Sequence, residues 1–289
     1  MDRIVNRISR RLTVLAVIVC GLAVSSPRLA LAVGDIAVSP TRIVFEERDR
    51  KAQVSLINTS STAKTYRISW TRKRLNEKGE YEDVETPLPG ERFSDEMIRY
   101  SPRQITLPPG KPQLVRLLLR KPAELEAGEY RSYLRFTAVP SADDQKIDQL
   151  VVNGDQQMRI SLTPIMSISI PVIVRHGQTT ADVRISSLGL HENADQRRTT
   201  LSMVFERNGN RSLYGDVIAE FQPTQGASKI VGQATGVSIY PPANKRPFEL
   251  PVELDRAQPG TLKVSFRARP ESGRGSSEEI LATAQLPVR

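Results

Sequence analysis

Short runs in which apolar and polar residues alternate recur from Ile36 to Leu286, and this period of two constrains the fold more than any other feature. Ile36 alternates with Val38, and Ile43 with Phe45. Ala52, Val54 and Leu56 alternate around Gln53 and Ser55. Tyr66, Ile68 and Trp70 stand opposite Arg67 and Ser69. Side chains two apart on an extended chain share a face, so each run makes a half-buried strand. Pro, Gly, Asn or Ser bounds each run, as turns between strands require. Residues 114–119 are nearly continuously apolar, which fits a strand buried on both faces or a central one. Residues 133–139 and 167–174 complete a first set of strands. After Arg175-His176-Gly177-Gln178 a second set is expected near 182–188, 199–206, 216–221, 237–240, 248–254, 261–267 and 280–286. No segment is amphipathic at the helical period over three turns, and 91–98 makes at most one short helical turn. Without alternation of strand and helix, the chain is all-β and forms antiparallel sandwiches.

The first 32 residues follow a different rule. Arg3, Arg7, Arg10 and Arg11 form a basic start, residues 12–24 are apolar, and Ala30-Leu31-Ala32 offers small residues for cleavage. That order is a secretory signal peptide over residues 1–32, with Val33 first in the mature chain. The apolar run is short for a membrane span, so no stable membrane insertion is expected after cleavage. Val19, where a lipoprotein would carry a small residue before its cysteine, argues against lipid attachment at Cys20. Cleavage leaves 257 residues with 36 basic and 31 acidic side chains, a net charge of +5. These charges are interleaved, which suits a solvated surface and not a nucleic-acid partner. Cys20 is the only cysteine and leaves with the signal, so neither a disulfide nor a thiolate metal site can form within the mature chain. Hydrophobic cores must hold the protein. Two domains are expected, at 33–176 and 177–289.

Chemistry-bearing patterns are sparse. His176 and His191 are the only histidines, and neither has the spacing of a metal site. No nucleophile elbow, zinc-protease motif or phosphate-cradling loop occurs. Leu107-Pro108-Pro109-Gly110-Lys111 reads as a tight turn. Glu46-Glu47 and Asp143-Asp144 are adjacent pairs, whose side chains point to opposite faces of a strand and make no acid–base dyad. The chain is therefore not expected to be an enzyme, nor to use a cofactor or metal. Residues 72–92, 141–157 and 271–279 are polar and expected as exposed loops.

Six segments in order carry a resemblance. They are Ile36-Ala37-Val38-Ser39-Pro40-Thr41-Arg42-Ile43-Val44-Phe45, Val54 to Ser60, Tyr66 to Trp70, Tyr100-Ser101-Pro102 through Leu107-Pro108-Pro109-Gly110, Leu114-Val115-Arg116-Leu117, and Gly128-Glu129-Tyr130-Arg131-Ser132 followed by Val139-Pro140. Together they resemble the periplasmic chaperones of the chaperone–usher pathway, which assemble pili. The resemblance covers about 33–175 and implies two immunoglobulin-like domains in a boomerang, located in the periplasm. Its implied partners are pilin-like subunits and possibly an outer-membrane usher. The implied action is donor-strand complementation, in which a strand of the chaperone fills the groove of a subunit lacking one. The implied donor strand runs from Met158 to Val174, with Ile160, Leu162, Met166, Ile168 and Ile170 on its apolar face. Arg42 matches the first of two basic residues that anchor the subunit's terminal carboxylate. As an edge-strand arginine it would contribute little to folding. Where the family has the second, a lysine, this chain has Pro171. Arg175 lies an even number of residues on, on the same face, and could replace it. The alternative to a chaperone is an exported structural or adhesive component of a surface fibre.

Overall fold

The alternating runs all become strands, because each can bury its apolar face only against a facing sheet. The structure is a computed structural model describing residues 31–33, 35–76, 79–141, 147–153, 156–162, 164–193, 198–254, 258–271 and 279–288. Residues 1–30, which hold most of the expected signal peptide with Arg3, Arg7, Arg10, Arg11 and Cys20, lie outside the described residues.

The first part of the chain makes β1 (Leu31–Val33), β2 (Ile36–Ser39), β3 (Ile43–Phe45), β4 (Lys51–Asn58), β5 (Lys64–Thr71), β6 (Lys73–Leu75), β7 (Tyr81–Asp83), β8 (Ile98–Ser101), β9 (Gln104–Leu107), β10 (Pro112–Leu119), β11 (Gly128–Val139), β12 (Ile147–Asn153), β13 (Gln156–Leu162) and β14 (Ser167–His176). One sheet has the order β1-β2-β4-β10-β8 and the other β3-β14-β11-β5-β9. The opening strand switches sheets. β2 pairs antiparallel with β4, and after Pro40 and Thr41 the chain re-enters the opposite sheet as β3. Between the sheets Phe45, Leu56, Leu107, Leu117, Leu119, Leu134 and Phe136 are fully buried. The expected helical turn is a single 3-10 turn, Asp95–Met97.

Two expectations about strands need correction. β10 is central, as one of the two readings had it, and the other reading fails because only one face is buried: Val115, Leu117 and Leu119 are in the core while Leu114 and Arg116 are exposed. No layer covers the outer face of its sheet there, so continuous apolarity misstated the burial. Residues 158–174 are also not one strand. Ile160 and Leu162 belong to β13, which among the described residues pairs only with β12, whereas β14 begins at Ser167. Pro164 lies between them and has no N–H to offer a ladder.

The second sandwich contains β15 (Ala181–Asn193), β16 (Arg198–Gly209), β17 (Leu213–Pro223), β18 (Lys229–Ile239), β19 (Lys245–Val252), β20 (Gly260–Ala268) and β21 (Ile280–Val288). All seven expected strands are present, and several run longer. The sheets are β15-β16-β19 and β18-β17-β20-β21, around a core that includes Leu201, Phe205, Phe221 and Phe266. Among the described residues no helix is long and apolar enough to cross a membrane.

The polar segment 72–92 is not a free loop. It forms the hairpin β6–β7, tied at its base by a two-point Arg74–Glu91 ion pair at 2.7 and 2.8 Å. It leans on the second sandwich. Gly90, at φ +84°, lies so near Pro242 that an added methyl group would come within 3.2 Å of the Pro242 Cβ. Residues 141–157 likewise hold most of the β12–β13 hairpin.

Candidate functional site

β14 is the strand around which the site is built. Along one edge it pairs antiparallel with β11, from Ser167 opposite Thr137 to His176 opposite Gly128. Along the other edge it has only the three residues of β3, which run parallel and cover Val172 to Val174. The stretch 167–171 therefore has a ladder on one side and none on the other. Its side chains grade along the strand. Met166 is 50% exposed, Ile168 is partly buried, and Ile170 is 2% exposed in the core. The strand overshoots the sandwich, and cover is lost toward its start. Met166 and Ile168 thus form a partly exposed apolar stripe beside an open edge, while Ile170 is a core residue.

The opposite face of β14 meets the second sandwich. Ile173 packs with Val44 and Tyr240. Next to it lies a closed ring of polar contacts across the domain seam. Arg42 donates from Nε and Nη2 to Glu271 Oε1, each at 2.9 Å, and Arg175 donates from Nη1 to Glu271 Oε2 at 2.6 Å. Arg175 Nε donates to Glu129 Oε2 at 3.2 Å. Ser212 Oγ donates to that same oxygen at 2.8 Å and accepts from Arg42 Nη2 at 3.0 Å. Arg42 Nη1 also donates to Tyr240 Oη at 2.8 Å and to Ser238 Oγ at 3.3 Å. Arg175 further holds Glu46 at 2.8 Å.

This placement overturns the expectation that Arg42, as an edge-strand arginine, contributes little to folding. It is 4% exposed, and its guanidinium stacks 4.6 Å above the Tyr214 ring. Burial alone would lower its pKa, but Tyr240, Glu271 and Glu129 outweigh that and hold it above the ordinary arginine value. Burial would likewise raise Glu271, but Arg42 and Arg175 pull its carboxyl below the usual 4.5. Arg175 is 5% exposed and already bonded to three carboxylates. It serves as a clamp between the sandwiches.

A cavity of about 600 Å³ opens between the sandwiches above this ring. Arg42, Lys73, Arg135 and Arg269 line it, together with Tyr81, Tyr133, Tyr214 and Tyr240, and no carboxylate of the described residues does. The β14 residues facing it are Ser167, Ser169 and Pro171. Such a lining favours an anionic group. Three of its cations have partners nearby. Asp83 takes Lys73 at 2.9 Å and Arg135 at 2.8 Å, and hydrogen bonds from Lys73 and then Arg135 lower its pKa to about 2. Arg269 holds Asp216 at 2.9 Å.

Sequence reasoning found Arg42, Arg175 and the β14 stripe. It missed Glu129, Ser212, Glu271 and Tyr240, because partners 46 to 229 residues apart carry no local signal. One hint was available: four of the chain's seven tyrosines gather at this cavity. Elsewhere, His191 Nε2 lies 2.9 Å from Ser202 Oγ. Among the described residues no group of three or more His, Cys, Asp or Glu is placed to hold a metal.

Two antiparallel sandwiches, with the first strand switching sheets and a basic cleft between them, define a two-domain immunoglobulin-like protein. Over residues 35–178 the chain matches the N-terminal domain of the pili and flagellar-assembly chaperones, and it belongs to that family. No curated protein matches it. Among solved structures, the YadV chaperone is 12% identical with a TM-score of 0.47, over 88% of this chain and 99% of that one. The Pseudomonas aeruginosa CupB2 chaperone is 14% identical with a TM-score of 0.40, over 87% and 98%. The CsuC–CsuE chaperone–tip adhesion subunit complex of Acinetobacter baumannii is 14% identical with a TM-score of 0.42, over 86% and 98%.

Proposed function

We propose that this chain is a periplasmic chaperone for pilus subunits that lack a strand. It completes the subunit's sandwich with the open edge of β14 and receives the subunit's terminal carboxylate beside Arg42. The observation that carries this reading is where the open edge ends. β3 pairs parallel with β14 from Ile43 opposite Val172, and Arg42 immediately precedes Ile43. A client strand lying parallel to β14 along 167–171 would run its C-terminus into Arg42 and the cation-lined cavity. Main-chain hydrogen bonds along that edge supply affinity for any extended segment, each about 1 kcal/mol net. The Met166–Ile168 stripe covers the client's open groove. The carboxylate exchanges with the neutral hydroxyls of Ser238 and Tyr240 on Arg42, and a guanidinium bonds an ionised carboxylate more strongly than a neutral hydroxyl. Nothing in this action needs a nucleophile, nucleotide or metal, and the chain is read as a binding protein and not an enzyme.

Co-expression with a pilin subunit tests the reading. The chain should be recovered from the periplasm as a soluble one-to-one complex, with its N-terminus at Val33 or within a few residues. Recovery of the chain as a built-in component of the fibre would overturn it in favour of a structural role.

A further inference from the structure

Every cation lining the cavity already has a partner within the chain, including Arg42, yet one buried donor among the described lining residues has none. Tyr133 is 4% exposed, its side chain lines the cavity, and its buried Oη makes no hydrogen bond. A buried hydroxyl without a partner is rare and costs free energy. Tyr133 differs from the other side chains with an unpartnered buried atom: Arg131, Arg246 and Glu129 use their remaining polar atoms elsewhere, Arg211 does not line the cavity, and the phenol has only this one polar atom. Its position follows from register. On β11 Tyr133 lies directly opposite Pro171, the one β14 residue facing the cavity that has no N–H and no polar side chain. Burial, reinforced by Tyr240, raises the phenol well above its ordinary value of 10.0, against the opposing pull of Arg131 and Arg42. It therefore keeps its proton and can only donate to an anion. Tyr133 and Arg42 line the same cavity.

We propose that Tyr133 is the second contact for a chain-terminal carboxylate in this cavity, its Oη donating to one carboxylate oxygen while Arg42 serves the other. The proposal rests on the reading of the cavity as a chain-end site. It assigns the task to a neutral phenol on β11, not to a basic residue on β14 or to Arg175, which the seam ring holds.

The test uses Tyr133→Phe, which removes only the hydroxyl. The probe is a ten-residue peptide of alternating valine and threonine, made with a free C-terminal carboxylate and as its C-terminal amide. The wild-type protein should bind the acid more tightly than the amide. Tyr133→Phe should weaken the acid about tenfold or more, the size expected of a hydrogen bond to a charged group, and leave the amide unchanged. Its melting temperature without peptide should be unchanged or higher, because no partner is lost. If the wild type binds neither peptide or does not distinguish acid from amide, the chain-end reading fails and takes this inference with it. If the wild type discriminates and Tyr133→Phe discriminates equally, only the role of Tyr133 is overturned. A large fall in melting temperature would also overturn it, by showing that the hydroxyl has a structural partner.

Discussion

At the scale of single residues, Glu271 shows how the site is held. One carboxylate bridges two buried guanidiniums that belong to the other sandwich. Buried ion pairs add little over an apolar substitute, but removing one partner leaves a charge stranded. The two arginines should therefore differ when truncated. Arg175→Ala strands Glu129, whose side chain is fully buried, and should cost about 3–5 kcal/mol. Arg42→Ala leaves Glu271 with Arg175 and should cost less, about 2–4 kcal/mol. Urea unfolding at pH 7 measures both, and a cost below about 1 kcal/mol for Arg175→Ala would remove the clamp role. The sequence pattern pointed to both arginines, through their places in strand motifs. It could not show their burial, since the carboxylates that neutralise them sit 46, 96 and 229 residues away.

At the scale of elements, β14 changes character along its length. Its first half has one partner strand and a thinning apolar cover, while its second half is sandwiched and paired on both edges. The same substitution should then give different results two residues apart. Ile170→Asn buries an amide in the core and should cost about 3 kcal/mol or more, lowering the melting temperature steeply. Ile168→Asn should cost about 1 kcal/mol and mainly weaken capture of a subunit. Equal melting temperatures for the two variants would refute the graded strand. The alternation that placed Met166, Ile168 and Ile170 on one face was legible, because a period of two is a local property. Their separate fates were not, because burial depends on how far the facing sheet extends. The 72–92 hairpin eluded sequence reading for a related reason. Its polar residues are satisfied by one another and by Asp95 and Arg135 of the first sandwich, so a composition typical of loops conceals a packed strap.

For the whole molecule, the seam ring, the strap and the stacking of Arg131 3.7 Å above the Tyr240 ring tie the two sandwiches together. At neutral pH they should unfold as one cooperative unit. Acid should loosen that coupling, and the sign follows from Glu271. Its pKa is held below 4.5 in the folded state, so its contribution is complete above that range and is lost as pH falls through the depressed folded value. Calorimetry should give one transition at pH 7 and a broadened or divided one below about pH 4. A transition that stays single and unshifted on acidification would mean that contacts other than the ring join the domains. The seven strands of the second sandwich were readable one by one, but the cavity was not, because it exists only where two separately folded surfaces meet. That meeting point has a metrical consequence. A fixed stop at one end of an open ladder acts as a ruler: once the chain end is seated, every residue upstream has its distance set. Because side chains alternate, a slip of one place would turn each apolar group of the guest toward water. If the cavity seats a chain end as proposed, an otherwise undiscriminating edge would accept only chains whose pattern is correctly phased from their last residue.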